Sequence, residues 1–289
     1  MHVVVSGGTG FIGKHLVKHL LGRGHSVSVI SRSPQQVAGM FDGKAAGCTL
    51  ETLPAAFDGV INLAGATLDK RWTAARKREI VDSRVELTRA LSEAAASRGA
   101  RAFVSGSAIG YYGERGDQPC TEDTAPGSDF LAEVCVKWEQ AAMRDDLRVA
   151  LIRTGLVAHR SGGALAVMLP LFKWLLGGRL GSGRQYWSWI HVDDIVALFT
   201  FALENEVSGP LNGAAPNPVT NREFTRALAR AVHRPVSLPV PEFALRLLYG
   251  EMADMLLHGQ KVLPERTQSL GFQFKYTELD KALHAALYE

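Results

Sequence analysis

Cysteine is scarce in this chain of 289 residues. Cys48, Cys120 and Cys135 are too few and too far apart for a disulfide framework or a CxxC metal site, which predicts a reducing compartment. Long apolar runs are missing too: the longest, Ala164 to Phe172, has nine residues where a membrane span needs about 20. The N-terminus, Met1-His2-Val3-Val4-Val5, has neither the basic n-region nor the cleavage site of a signal peptide. Neither sign of charge is in excess. The 32 Lys plus Arg against 29 Asp plus Glu leave a formal charge of +3, with the bases spread through the chain, so nucleic acid is not an expected partner. The histidines, among them His15, His19, His159 and His258, lack partners at metal-ligand spacing. These absences predict a soluble, cytoplasmic protein with no metal and no membrane partner.

What is present is a large core. At 46% hydrophobic residues, a chain of this length can bury about 75% of the surface it would expose unfolded. The first half alternates β-branched runs (Val3–Ser6, Val27–Ile30, Gly59–Leu63, Ala102–Ser105, Val149–Arg153) with segments whose apolar residues recur at helical spacing. Leu16 and Leu20 fall in one such segment; Ile80, Leu87 and Leu91, opened by Thr73, in a second; Leu131, Val134 and Trp138, opened by Ser128 or Asp129, in a third. Strands joined by helical crossovers make an α/β, doubly wound parallel sheet of the Rossmann type. From Ala158 the texture changes to Gly-rich loops and the aromatic run Tyr186-Trp187-Ser188-Trp189-Ile190. Asp193 or Asp194 can cap the next helix, Pro210 to Ala214 can return a strand to the first sheet, and Thr220 with Glu223 reads as a capping box. The expected division is a dinucleotide-binding domain over 1–157, completed by 190–214, and a smaller, mostly helical substrate domain from 158–189 and 215–289.

Ser6-Gly7-Gly8-Thr9-Gly10-Phe11-Ile12-Gly13 sets Gly7, Gly10 and Gly13 between the first strand and the first helix. A backbone that turns tightly and approaches a pyrophosphate needs positions without a Cβ, and the helix N-terminus supplies N–H groups and positive dipole. NAD-binding proteins usually follow the second strand with Asp or Glu for the ribose 2′-hydroxyl. Here that strand ends Ile30-Ser31-Arg32-Ser33, and no acidic residue occurs before Asp42. A guanidinium can pair with a 2′-phosphate that a carboxylate would repel, so NADP(H) is the predicted cofactor.

Three groups of residues resemble the extended short-chain dehydrogenase/reductases that include nucleotide-sugar epimerases: Gly7-x-x-Gly10-x-x-Gly13, the turn Asn62-Leu63-Ala64-Gly65, and Ser105-Gly106-Ser107 ahead of Tyr111-Tyr112-Gly113. Arg153-Thr154-Gly155, Gly181-Ser182-Gly183-Arg184-Gln185, Ser188-Trp189-Ile190-His191-Val192-Asp193-Asp194 and Gly259-Gln260-Lys261 narrow the likeness to the epimerase-family branch with its own C-terminal domain. The resemblance implies that Thr9, Phe11 and Ile12 of the turn meet the cofactor. It likewise implies that Ser31 and Arg32 meet the 2′-phosphate, that Leu63, Ala64 and Gly65 lie along the cofactor, and that Glu79, Arg84 and Val157 contact it. It also implies an oxidoreductase or epimerase acting on a small polar metabolite in an interdomain cleft, a nucleotide sugar among the candidates.

The departure is at the catalytic pair. That superfamily transfers protons with Tyr-x-x-x-Lys on the helix after the sheet's fifth strand; aligned by Trp138-Glu139, those positions hold Leu131 and Cys135. Lys137 does not replace the lysine, because two helical steps turn it roughly 200° away from Cys135. Ser107 with Tyr111 or Tyr112 is the substitute constellation, although a phenol of pKa near 10 needs a shift of about 3 units, roughly 4 kcal/mol, to act as a base at neutral pH. A non-catalytic, regulatory NADP(H)-binding protein is therefore the alternative reading. Arg184, Gln185, Trp187 and Trp189 are the expected substrate contacts, the tryptophans serving either as a stacking platform or as docking between domains. Lys70, Arg71, Arg76, Lys77 and Arg78 form either a solvated face or a lure for a phosphorylated ligand.

Overall fold

The computed structural model describes residues 1–289. Its central sheet has seven strands: β1 (His2–Ser6), β2 (Ser26–Ile30), β3 (Ala45–Cys48), β4 (Gly59–Asn62), β5 (Ala102–Ala108), β6 (Arg148–Thr154) and β7 (Gly209–Gly213). All pairings are parallel, in the order β7-β6-β5-β4-β1-β2-β3. A central parallel strand is covered on both faces and reads as an unbroken apolar run; Val3, Val4 and Val5 of β1 are fully buried. The order reverses between β1 and β4, and the crevice at their carboxyl ends is where such sheets bind ligands.

Eight main helices follow in chain order: α1 (Phe11–Gly22), α2 (Ala74–Ser97), α3 (Phe130–Ala142), α4 (Gly163–Lys173), α5 (Val192–Glu204), α6 (Asn221–Ala231), α7 (Glu242–Tyr249) and α8 (Leu279–Tyr288). Leu16, Val17 and Leu20 of α1 pack with Ile195, Leu198 and Phe199 of α5 on one face of the sheet. Leu91 and Ala95 of α2 and Ala142 of α3 cover Phe103, Val149 and Leu151 on the other. A smaller core gathers Leu165 and Phe172 of α4, Phe224 and Leu228 of α6, and Leu283 of α8 around Trp187 and Trp189. No helix is long and apolar enough to cross a membrane.

Most helix starts follow the sequence signals. Thr73 accepts from Arg76 N (3.2 Å), Asp129 from Ala132 N (3.0 Å), and Thr220 with Glu223 closes a capping box. Helix α5 departs from them: its cap is His191, whose Nδ1 accepts from Asp193 N at 3.2 Å. Asp194, expected as a cap, faces inward and accepts from Lys275 N (2.8 Å) and Tyr276 N (2.9 Å), tying the C-terminal segment to α5. The strand expected over Pro210–Ala214 forms as β7. Strand β3 carries no β-branched residue; at Gly47 a Cβ would sit 1.9 Å from Pro34 O, so close approach of backbone sets its composition.

Candidate functional site

The turn from β1 into α1 is built by what its glycines permit. Gly7 adopts φ +72°, and a Cβ there would lie 2.8 Å from the backbone of Leu63. At Gly13 a Cβ would lie 2.1 Å from Gly7 O. These two glycines let the chain fold onto itself. Gly10 is different: it caps α1 with no side-chain hydrogen bond, stands exposed, and a Cβ would meet only Gly7 O at 3.2 Å. The first N–H groups of α1 are thus left without a side-chain partner at an exposed turn, the arrangement that receives an anion. Thr9, Phe11 and Ile12 are half-buried around it, and Phe11 stacks on His159 with centroids 6.3 Å apart.

A buried chain of hydrogen bonds fixes the second wall. Ser6 Oγ donates to Asn62 Oδ1 (2.5 Å), Asn62 Nδ2 to Thr88 Oγ1 (2.7 Å), and Trp138 Nε1 to the same Thr88 oxygen (2.9 Å). That holds Leu63, Ala64 and Gly65 across from the glycine turn. The Arg84 guanidinium fills the space a Cβ on Gly65 would need, donates to Ile80 O and lies over the Trp138 ring. Beyond β2, Ser31 Oγ accepts from Ser33 N (3.1 Å), while Arg32 is exposed and makes no ion pair or hydrogen bond within the chain. Glu79 is exposed and paired with Arg76 at 2.6 Å, and Val157 is buried in the core beside the turn.

The catalytic candidates separate sharply. Ser107 is buried and donates to Glu139 Oε1 at 2.7 Å. Arg153 donates to both Glu139 oxygens (2.9 and 3.0 Å), to Tyr112 Oη (3.1 Å) and to Glu122 O (3.0 Å). Tyr112 has no exposed surface, donates to Asn212 Oδ1 at 2.6 Å, and burial pushes its phenol up to about 12. This corrects the sequence expectation for Tyr112, which braces strands rather than reaching a substrate. Ser107 is likewise committed to a carboxylate. Tyr111 alone of the three is half-exposed with a hydroxyl free of protein hydrogen bonds, its ring centroid 3.4 Å from the Arg153 guanidinium carbon. At the positions of the usual Tyr-Lys pair, Leu131 packs on Gly110 and Cys135 is buried with Sγ 3.7 Å from Ala108 O; burial pushes its thiol up to about 12. Lys137 is exposed on the far side of α3.

The expected substrate contacts are corrected too. Gln185 is buried and donates to Leu180 O (3.1 Å) and Leu256 O (3.0 Å), holding loops together. Trp187 packs edge-on against Phe224, and Trp189, fully buried, donates to Asn217 O (3.1 Å). Both belong to the smaller core, so packing within it, not ligand stacking, accounts for them. Arg184 is exposed beside them. Of the five clustered cations, Arg76 is spent on Thr67 and Glu79 and Lys77 on Glu251, while Lys70, Arg71 and Arg78 remain exposed.

The polar centre is Glu139 with Arg153, which motif reading did not single out, together with Glu122. Glu122 is buried and accepts from Asn212 N, Thr267 N and Thr267 Oγ1 on one oxygen and from Arg266 N on the other, each at 3.1 Å. The available signal was Arg153 itself, a charge set after the apolar run Val149–Ile152 within β6.

Comparison with known proteins agrees with this architecture. The NAD dependent epimerase/dehydratase family matches residues 3–214, and a domain of unknown function matches 240–286. A chloroplastic epimerase family protein SDR39U1 homolog of Arabidopsis thaliana is 42% identical over 301 residues, covering 99% of this chain and 87% of that protein. The human epimerase family protein SDR39U1, solved with NADPH, superposes with a TM-score of 0.92 at 36% identity, covering 99% of each chain. A nucleoside-diphosphate sugar epimerase of Corynebacterium glutamicum superposes at 0.80 with 32% identity, covering 99% of this chain and 58% of that one.

Proposed function

Because this chain belongs to the NAD dependent epimerase/dehydratase family, we propose that it binds NADP(H) in the crevice above β1 and β4 and is an oxidoreductase or epimerase-like enzyme for a small polar metabolite. The observation that carries the proposal is the pairing of an uncapped α1 N-terminus at Gly10 with an unpartnered Arg32 beyond β2. The N–H groups of α1 would hold the pyrophosphate, and Arg32 with Ser31 the 2′-phosphate. A human relative solved with NADPH supports that choice of cofactor. When bound, the nicotinamide supplies the hydride chemistry. Leu63, Ala64, Glu79, Arg84 and Val157 are proposed to line the cofactor, as the family resemblance implies.

Proton transfer is assigned to Tyr111, whose hydroxyl is free and whose ring rests on the Arg153 cation. The guanidinium is held in place by Glu139, so the positive charge beneath the ring is fixed before any ligand arrives. The second reading, a regulatory NADP(H)-binding protein without catalysis, draws on Leu131 and Cys135 standing where the superfamily's acid/base pair belongs.

Titration of the cofactor-stripped protein with NADPH and NADH tests the cofactor. NADPH is expected to bind more tightly, and Arg32→Asp to cost NADPH about 1.5–3 kcal/mol while sparing NADH. A screen of metabolites for NADPH oxidation then separates the two readings. Turnover abolished by Tyr111→Phe supports the enzyme; no turnover with any metabolite, at intact NADPH affinity, supports the regulator.

A further inference from the structure

Apolar residues that the sequence keeps apart stand exposed on neighbouring segments of the C-terminal region. Trp174, Leu175 and Leu176 follow α4, Leu238 lies in the run before α7, and Phe243 and Leu247 stand one turn apart on α7. Backbone bonds join the two runs: Ser237 N donates to Gly177 O and Val240 N to Arg179 O, both at 2.9 Å. The side chains are held outward, Trp174 at 78% exposure, Leu247 at 75% and Leu238 at 86%. Isolated exposed leucines are ordinary, but six large apolar side chains on two bonded runs and the helix that follows mark a binding surface.

The two runs beneath it carry charge of one sign, while on α7 the carboxylate of Glu242 is paired with Arg246 at 2.8 Å. Residues 160–192 contain four Lys or Arg and no Asp or Glu, and residues 224–241 contain three Arg and no acid. Arg222, Arg226, Arg230 and Arg234 recur at every fourth position along and just beyond α6, which places them on one face. Three of them, with His233 and Val236, line an open groove of about 520 Å³. Only Arg230 has an acidic partner, Asp280 at 2.7 Å.

We infer that this face attaches the protein peripherally to an anionic lipid bilayer, the apolar side chains entering the interfacial layer and the arginines meeting headgroup phosphates. A second copy of the chain fits the face less well. A two-fold contact opposes a patch to itself, and here it would set Arg226 and Arg234, neither of which has an acidic partner, against their own copies, while Glu242 and Asp280 are already paired with Arg246 and Arg230. Nor does the lack of a spanning helix bear on this surface, because folding, not a continuous apolar run, assembles it.

Co-sedimentation of the full chain with phosphatidylcholine vesicles, with and without phosphatidylserine, tests the inference. Pelleting is expected with the mixed vesicles, falling about fivefold for each arginine removed in Arg226→Gln and Arg234→Gln, and lost in Trp174→Ala/Leu238→Ala. Both residues of that double variant are exposed, so its circular dichroism should match the parent. Trp174 also reports directly. The other four tryptophans, Trp72, Trp138, Trp187 and Trp189, are buried, so a blue shift on adding mixed vesicles is Trp174 leaving water. Three results overturn the inference: no pelleting with either vesicle, equal pelleting with neutral vesicles, or a dimer by light scattering that the double variant dissolves.

Discussion

Arg153 and Glu139 form a two-pronged ion pair, Nε to Oε1 at 2.9 Å and Nη2 to Oε2 at 3.0 Å, with both side chains almost wholly out of water. A buried pair gives little net stability when intact but is costly to break from one side. Glu139→Ala strands the Arg153 guanidinium beneath Tyr111 and is expected to lower stability by about 3–5 kcal/mol, read as a fall in the denaturant midpoint. A change under 1 kcal/mol would mean that water or another group reaches Arg153.

The glycine turn makes two opposite predictions. Gly13→Ala forces a Cβ to within 2.1 Å of Gly7 O and is expected to lower the melting temperature. Gly10→Ala meets only a 3.2 Å neighbour at an ordinary φ of −77° and should fold like the parent. Its NADPH affinity should nevertheless drop by about tenfold or more, or about 1.4 kcal/mol, because the added methyl occupies the path of the pyrophosphate. Unchanged affinity in a folded Gly10→Ala protein would place the cofactor elsewhere.

Thiol chemistry gives a check on Cys135. Cys48, Cys120 and Cys135 are all buried, and burial raises each thiol, that of Cys135 to about 12. Because the thiolate is the reactive form, the native protein is expected to show no fast reaction with a disulfide reagent and to release its full complement of thiols only on unfolding. A single rapidly titrating thiol in the native state would mean that one of the three is open to solvent and readily ionised.

The pH profile follows from His191. Burial outweighs the opposing Asp193 charge and pushes this histidine down to about 4, against about 6.5 when unfolded. The unfolded chain then binds the proton more readily, so stability is complete above pH 6.5 and declines as pH falls toward 4. The slope is about 1.4 kcal/mol per pH unit and the total about 3 kcal/mol. His191→Asn keeps a helix-capping side chain and removes the titration; urea midpoints measured between pH 7 and pH 4 should flatten relative to the parent.

Local signals were readable before the fold was seen, and long-range ones were not. The β1–Gly7–α1 turn, the caps at Thr73 and Asp129, the Thr220–Glu223 box and the returning β7 are each written within a few consecutive residues. His191 displaced Asp194 as the cap of α5 because Asp194 was claimed by Lys275 and Tyr276, 81 and 82 residues away. Gln185, Trp187 and Trp189 have the chemistry of ligand contacts, yet burial decides their role, and burial depends on α6 and α8 arriving later in the chain. Tyr111 and Tyr112 are adjacent and identical in sequence terms; only the packing of Asn212 and Arg153 tells them apart.

Glu122 bears on how this molecule can move. Its carboxylate is a rivet: Asn212 of β7 on one side, Arg266 and Thr267 on the other, all bonded to one buried group. Opening the C-terminal region like a jaw would pull several charge-assisted bonds apart at about 1.5–3 kcal/mol each. The segment just after α7 adds a second fastening, Glu251 pairing with Lys77 and Met252 packing with Trp72 and Ile80, so the crevice is a frame pinned at two places and not a hinged jaw.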